Sequence, residues 1–177
     1  MSGYSRGNPA MGDVVRSVLV LGAIVLGLWF LGRLFTETPD NPTSEVDWRG
    51  AASGVEVRAG FVPLVPTELP ERWRATRAEL IDDRWQLNVV TDEGDYVGLT
   101  QRIGEADDLP NLVEDRAAGS TPEGAQKIAG TTWQVFSGPD DSVTFGAVVG
   151  TELVVVTSGA ERPVVEDYVA SLEPFAS

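Results

Sequence analysis

The sequence predicts an α+β domain: an antiparallel sheet of about five or six strands with two helices, preceded by one transmembrane helix. Three observations support this fold class. An uncharged apolar stretch lies near the N-terminus, two β-hairpin patterns lie in the second half of the chain, and two segments carry apolar residues at helical spacing.

The apolar stretch is VVRSVLVLGAIVLGLWFLGRLF, residues 14–35. Sixteen uncharged residues lie between Arg16 and Arg33. A helix over residues 14–35 would be about 33 Å long, enough to cross a hydrocarbon layer of about 30 Å. We expect Arg16 and Arg33 to reach the two membrane interfaces and Trp29 to lie near one of them. The pattern therefore predicts an anchor in the lipid bilayer.

Two alternatives are less consistent with this stretch. A cleaved signal peptide would end in small residues, whereas GRLFTETPD follows here. A helix of a soluble core would show a polar face, which this stretch lacks. We therefore expect a single-pass protein of the plasma membrane, with a short cytoplasmic tail at 1–13 and an extracytoplasmic C-terminal domain.

The part after the anchor divides by composition. Residues 36–53 are rich in Pro, Thr, Ser and acidic residues and lack a hydrophobic period, which predicts a flexible stalk. Residues 54–177 are long enough to bury an independent core, and we expect the extracytoplasmic α+β domain there.

The hairpins are predicted by alternating apolar residues on either side of turn residues. The first covers residues 85–101, with TDEGD at its turn. The second covers residues 143–157, with Gly150 and Thr151 at its turn. Residues 61–70 contain three prolines and should be extended. The segment ERWRATRAELI is either a bulged strand or a short helix, and we favour the strand.

The two helices are predicted from spacing and from end signals. DDLPNLVEDRAAG offers Asp108 as N-cap, a proline in the first turn and Gly119 as the stop. ERPVVEDYVASL places an early proline before apolar residues spaced by three and four.

The composition excludes several classes of function. The chain has 27 acidic and 13 basic residues, a formal charge of −14, which argues against nucleic-acid binding. It has no Cys and no His, so thiolate chemistry, disulfides and the commonest zinc ligand and general base are absent. The acidic pairs fall at turns or at a helix start. GSTPEGAQK lacks the Lys-Ser/Thr pair that a phosphate-binding loop needs after its second glycine. We find no catalytic, cofactor-binding or metal-binding residue, and we expect no catalysis.

The remaining candidates are apolar. Tryptophans at strand positions either pack in the core or line an apolar cleft between sheet and helix. Three valines, on the parity opposite to the main core, would form an exposed contact surface if no helix covered them. These candidate ligand or partner residues are Trp73, Trp85, Trp133, Val148, Val154 and Val156. They favour binding to an envelope protein partner; the alternative is a carrier or sensor of a lipid or small apolar ligand.

Four stretches carry a family resemblance: FVPLVPTELPERWR, WQLNVVTDEGDYVGLTQ, GTTWQVF and VEDYVASLEPF. With the N-terminal span, the chain resembles an actinobacterial family of single-pass membrane proteins, domain of unknown function family 4245. It is also similar to exported sheet-plus-helix domains beside anti-sigma factors and in envelope lipoproteins, but it lacks the Cys to which a lipid is attached. The resemblance implies a fold and a location, and brings no catalytic residues.

Overall fold

The structure is a computed structural model that describes residues 18–22 and 46–176. Residues 18–22 are helical and belong to an N-terminal unit, whereas residues 46–176 belong to a second compact unit. Within these two ranges, no helix has both the length and the apolarity needed to cross a membrane. The predicted tail at 1–13, the residues Arg16, Trp29 and Arg33 of the predicted span, and residues 36–45 of the stalk lie outside the described ranges.

The second unit contains nine strands, four short α-helices and two 3₁₀ turns among its described residues. The strands are β1 Leu64–Pro66, β2 Arg74–Ile81, β3 Arg84–Val90, β4 Tyr96–Ile103, β5 Thr121–Ile128, β6 Thr131–Ser137, β7 Val143–Val149, β8 Glu152–Ser158 and β9 Leu172–Pro174. The helices are α1 Trp48–Ala52, α2 Val55–Ala59, α3 Leu109–Arg116 and α4 Arg162–Ala170.

Seven of these strands form one antiparallel sheet in the order β2-β3-β4-β8-β7-β6-β5, and β1 pairs with β9 in a second, two-stranded sheet. Two meanders, β2–β4 and β5–β8, therefore join where β4 pairs with β8. A mostly antiparallel sheet with few helices agrees with the predicted α+β class. The prediction of five or six strands and two helices was too low.

Strand β5 explains part of that difference. Its sequence, TPEGAQKI, does not alternate, and most of its side chains are exposed because it lies at the edge of the sheet. A bulge between Pro122 and Gly124 interrupts its register, and Gly124 has a φ of 144°. A strand with both faces exposed to water does not alternate apolar and polar residues, so its sequence does not predict a strand.

The predicted hairpins are confirmed. Strands β3 and β4 pair on either side of the TDEGD turn, and Val149 pairs with Glu152 across a two-residue loop. Gly150 in that loop has a φ of 63°, a conformation that glycine adopts without strain. The favoured strand assignment at ERWRATRAELI is also confirmed, because β2 carries a bulge between Ala75 and Arg77 where the apolar parity slips.

The predicted stalk ends too late in the chain. Helix α1 lies inside residues 36–53; the Asp47 carboxylate accepts a hydrogen bond of 2.9 Å from the Gly50 amide and so caps it. Trp48 is only 5% exposed and belongs to the main core. Val46 also donates a backbone hydrogen bond of 3.1 Å to Ala75 of β2. The folded unit thus begins before the predicted boundary at residue 54. The buried Trp48 packs this segment against the sheet, although its composition is typical of a linker.

The large sheet has two faces of different character. The first, here called the core face, packs against α4, α1 and the β1–β9 pair around buried side chains such as Trp85, Leu99 and Phe145. Full burial of each such apolar side chain contributes about 1.5–3 kcal/mol. The second face carries a smaller cluster in which Leu109, Leu112 and Val113 of α3 pack against Phe136, Leu153 and Val155.

Candidate functional site

Two of the three predicted tryptophans are core residues. Trp85 is fully buried and Trp133 is 3% exposed, and both belong to the main hydrophobic cluster. The Trp85 indole N–H donates a 3.1 Å hydrogen bond to the Leu64 carbonyl, which fixes β1 over the sheet. Their packing satisfies the core alternative of the sequence analysis rather than the cleft-lining one.

The third, Trp73, is half-buried and stacks on Tyr168 of α4, with ring centroids 6.1 Å apart. The Tyr168 hydroxyl is buried and has no hydrogen-bond partner among the described residues. This burial raises the pKa of Tyr168 well above its ordinary value. The pair holds α4 against the start of β2.

The three valines do not share a face, so that prediction was wrong. The β7–β8 register pairs Ala147 with Val154 and Phe145 with Val156, which places Val154 and Val156 in the main core. Val148 pairs instead with Leu153 on the second face, where it is 40% exposed. Because the hairpin loop has two residues, each odd-numbered residue of β7 pairs with an even-numbered residue of β8. Val148 and Val154 therefore lie on opposite faces of the sheet. Helix α3 covers the neighbouring Leu153 and Val155.

The second face carries a different feature over β2–β4. Register places most of the polar and charged side chains of these strands there, opposite Trp85, Leu87 and Val89; the buried Gln101, which pairs with Trp85, lies on the core face instead. We call this region the arginine face; its arginines are Arg74, Arg77, Arg84 and Arg102 on the strands and Arg116 at the end of α3. Glu79 is the only acid that register places on this face within β2–β4.

This concentration of positive charge contrasts with the rest of the unit. Residues 46–177 carry ten of the 13 basic residues and 23 of the 27 acidic ones, a net charge of −13. Half of those ten basic residues lie on the arginine face. Arg77 forms an ion pair with Glu79, whereas the other four make no salt bridge within the part of the chain that the structure describes. The face therefore has positive charge available for a partner.

A groove of about 350 Å³ opens on the arginine face beside the end of α3. Its lining includes Asn88, Tyr96, Gly98, Arg116 and Thr157. Asn88, Gly98 and Thr157 lie in one row across β3, β4 and β8, so Gly98 leaves a gap in the floor between two polar side chains. Tyr96, on the same side of β4, is 66% exposed.

Two polar groups in this groove have no partner among the described residues. They are the side-chain oxygen Oδ1 of Asn88 and the Nε–H of Arg116, and both atoms are buried. The Asn88 oxygen lies 3.3 Å from the point that a Cβ on Gly98 would occupy. Both residues line the groove, but their unpaired atoms are buried beneath its surface, where a polar group left unpaired costs about 1–3 kcal/mol.

These residues were not predicted from the sequence, although their pattern carries a signal. Arg84, Gln86 and Asn88 alternate with Trp85, Leu87 and Val89, so the hairpin pattern already places them together on the side opposite the core. The contribution of Arg116 could not be seen, because it requires the packing of α3 beside β8. Arg116 follows Val113 by three positions, and therefore continues the stripe of α3 that faces the sheet.

The acidic pairs lie in turns, and one of these pairs lines a pocket together with Arg102 of the arginine face. Asp82 and Asp83 join β2 to β3, and Asp140 and Asp141 lie between β6 and β7; all four have a positive φ, which Asp tolerates better than most residues. Within residues 18–22 and 46–176, no three side chains that could bind a metal ion come together.

Comparison with known proteins places the chain in a family. No curated protein and no solved structure matches the sequence. Residues 6–172 match the family described as "Protein of unknown function (DUF4245)", which agrees with the resemblance carried by the four stretches above. Because the match covers nearly the whole sequence, the chain belongs to that family.

Proposed function

We propose that this protein is a binding module of the cell envelope that engages an acidic region of a partner protein through its arginine face. The observation that carries the proposal is the gathering of five arginines, four of them without a salt bridge among the described residues, on one face of a unit whose net charge is −13. Arginine and tyrosine are enriched among the residues that dominate binding energy at protein interfaces.

The proposal includes a location. The apolar residues 14–35 would hold the unit at the plasma membrane, with residues 1–13 in the cytoplasm and the folded unit outside. The acidic remainder of the unit would be repelled by anionic lipid headgroups, whereas the arginine face would attract a carboxylate-rich protein. This favours a protein partner over the membrane surface as the occupant of the face.

We propose binding rather than catalysis because the polar groups gathered on the arginine face suit recognition. Guanidinium groups bind carboxylates with two parallel hydrogen bonds and do not exchange protons near neutral pH. The alternative of an apolar ligand held between sheet and helix gains no support from Trp85 and Trp133, which are packed in the core.

Crosslinking in cells tests the proposal. A photocrosslinking amino acid at position 96, on the arginine face, is expected to give a discrete protein adduct, and the same amino acid at the exposed position 57 is not. The adduct should be lost in Arg74→Glu/Arg84→Glu and kept in the charge-matched control Arg49→Glu/Lys127→Glu, whose residues lie on α1 and on the edge strand β5, outside the arginine face. An adduct that survives the first pair, or that forms equally from position 57, would overturn the proposal.

Protease treatment of intact cells tests the location separately. Digestion of the C-terminal unit in intact cells is the expected result, and protection until the cells are lysed would reject an extracytoplasmic location. This result does not depend on the partner, so the two parts of the proposal can fail independently.

A further inference from the structure

We infer that two copies of this chain associate through the open edge of β2, so that their large sheets become one continuous antiparallel sheet. The two-fold axis passes between the Ala78 residues of the two copies, and each Arg77 lies opposite Glu79 of the other copy. This interface goes beyond the proposed function and does not depend on the partner of the arginine face.

The backbone of β2 has an edge that faces away from the sheet. Strand β2 is one of the two outer strands, and the two-residue turn at 82–83 joins it to β3 with positive φ values of 48° and 58°. In such a turn the flanking residues, Ile81 and Arg84, form the hydrogen-bonded closing pair. Because hydrogen-bonded and non-hydrogen-bonded pairs alternate along an antiparallel ladder, the backbone groups of Ala78 and Leu80 point away from β3.

Those outward groups have no backbone hydrogen-bond partner within the part of the chain that the structure describes. On the other side of the bulge the same edge is already in use, because the Ala75 carbonyl accepts a 3.1 Å hydrogen bond from the Val46 amide. From Arg77 to Ile81, β2 contains neither proline nor glycine and has no further break in its register. This part of the edge can therefore pair with another strand.

The charges along the open edge complement those of a second copy. In an antiparallel pair centred on Ala78, Arg77 of each copy lies opposite Glu79 of the other, in a non-hydrogen-bonded pair whose Cα atoms are about 4.5 Å apart. Within one copy these two side chains form an ion pair, and they are 47% and 40% exposed. An ion pair this exposed holds its side chains weakly, so both can turn to the other copy.

Apolar side chains on the other face support the same pairing. Ala78 and Leu80 pair with Leu87 and Trp85, so they lie on the core face, and each remains partly exposed at the edge of the sheet. A neighbouring strand from a second copy would remove more of this apolar surface from water.

The opposite edge of the sheet, β5, is less suited to self-pairing. Pro122 lacks a backbone N–H, and the bulge between Pro122 and Gly124 interrupts the register. The acid of this strand, Glu123, forms an ion pair with Arg162 of α4. Strand β2 is therefore the better edge for a second copy.

Reversing the charges and mixing the variants tests the interface. Sedimentation of the full chain in detergent micelles measures association through a dye on Val57→Cys, an exposed position in a sequence without cysteine. We expect Arg77→Glu and Glu79→Arg each to weaken dimerisation at least about tenfold, because each places like charges opposite each other twice. An equal mixture of the two variants should dimerise at least as tightly as the parent, since every facing pair then has opposite charges although neither copy regains its own ion pair.

The control variants are Lys127→Glu on β5 and Glu105→Arg after β4, both at exposed positions, and neither should change the dissociation constant alone or mixed. A parent chain that stays monomeric would overturn the inference. So would an unchanged dissociation constant in Arg77→Glu and Glu79→Arg, the result expected if the copies associate through the apolar residues 14–35. A mixture that fails to associate, with both variants folded by circular dichroism, would also reject this pairing. The adduct at position 96 is measured separately, so the proposed function can stand or fall without this interface.

Discussion

At the scale of single residues, a buried glutamine connects segments that are far apart in sequence. Gln101 of β4 is buried, and its Oε1 accepts a 2.7 Å hydrogen bond from the Leu64 amide. Its Nε2 donates a 3.1 Å hydrogen bond to the Val62 carbonyl. Gln101 and the Trp85 indole thus provide hydrogen-bond partners for backbone groups at Val62 and Leu64. Strand β1 does not pair with the larger sheet, so these side chains take the place of a neighbouring strand.

We expect Gln101→Leu to lower the free energy of unfolding by about 2–4 kcal/mol, because it leaves the Leu64 N–H and the Val62 carbonyl without partners. The two side chains are similar in size, so a cavity contributes little. Urea unfolding followed by circular dichroism measures the change. Gln134→Leu, at an exposed position of β6, is the matched control and should change it by no more than about 0.5 kcal/mol. A loss under about 1 kcal/mol at Gln101 would contradict the role given to it.

Tyr168 presents the opposite case, a buried hydroxyl without a partner among the described residues. We expect Tyr168→Phe to leave the free energy of unfolding unchanged at pH 7, or to raise it by about 1 kcal/mol, because the substitution removes an unsatisfied group. The control is Tyr96→Phe, on an exposed ring.

The same substitution should change the response to alkaline pH. Burial raises the pKa of Tyr168 in the folded state above its ordinary value of 10.0, so above pH 10 the unfolded chain releases the proton first. The protonated Tyr168 therefore contributes its full stabilisation below pH 10. As the pH rises from there towards the folded-state pKa of Tyr168, the free energy of unfolding falls by at most about 1.4 kcal/mol per pH unit. Unfolding at pH 7 and pH 11 should show a smaller loss in Tyr168→Phe than in the parent; equal losses would refute this explanation.

At the scale of elements, Gly146 of β7 sets how closely α3 approaches the sheet. A Cβ at this position would lie 3.3 Å from side-chain carbons of both Leu109 and Val113. Contacts this short require the two side chains, or the helix that carries them, to give way, and α3 carries Arg116 to the groove at its far end. The packing of one glycine thus determines where a candidate binding residue lies.

We expect Gly146→Val to lower the free energy of unfolding by about 1–3 kcal/mol, because it overpacks the contact between α3 and β7. Gly159→Val is the control, since a Cβ there meets no atom within 4 Å. Combining Gly146→Val with Val113→Ala should cost less than the sum of the two single changes, because the smaller residue makes room for the larger. Strict additivity in thermal or urea unfolding would show that the two positions do not interact.

The elements differ in how far the sequence could predict them, for physical reasons. Strands β3, β4, β7 and β8 bury one or both faces and so carry a clear pattern, and α3 and α4 have proline near their starts and apolar stripes. Strand β5 and helix α1 lack such patterns, because β5 is wet on both sides and α1 has only five residues. The arginine face was predictable in part, from the polar parity of β3. The groove required the tertiary approach of α3 to β8.

At the scale of the whole molecule, the folded unit is acidic overall but gathers half of its basic residues on the arginine face. Its net charge of −13 favours solubility and repels anionic surfaces, and half of its basic residues lie on the one face that we propose as a binding surface. Attraction of an acidic partner to that face should weaken as salt is added, because the pairs form at a wet surface.

The N-terminal boundary of the folded unit gives the last prediction. A chain starting at residue 43 contains α1 and the bond from Val46 to β2, whereas a chain starting at residue 54 lacks both. Removing the buried Trp48 alone should cost about 3–5 kcal/mol, a large share of the 5–15 kcal/mol that typically stabilises a domain. We expect the shorter chain to be unfolded or to have a much lower urea midpoint, and Trp48→Ala in the longer chain to reproduce most of the loss. Equal urea midpoints for the two chains would contradict this prediction, and would mean that the folded unit begins at residue 54 and that α1 belongs to the stalk.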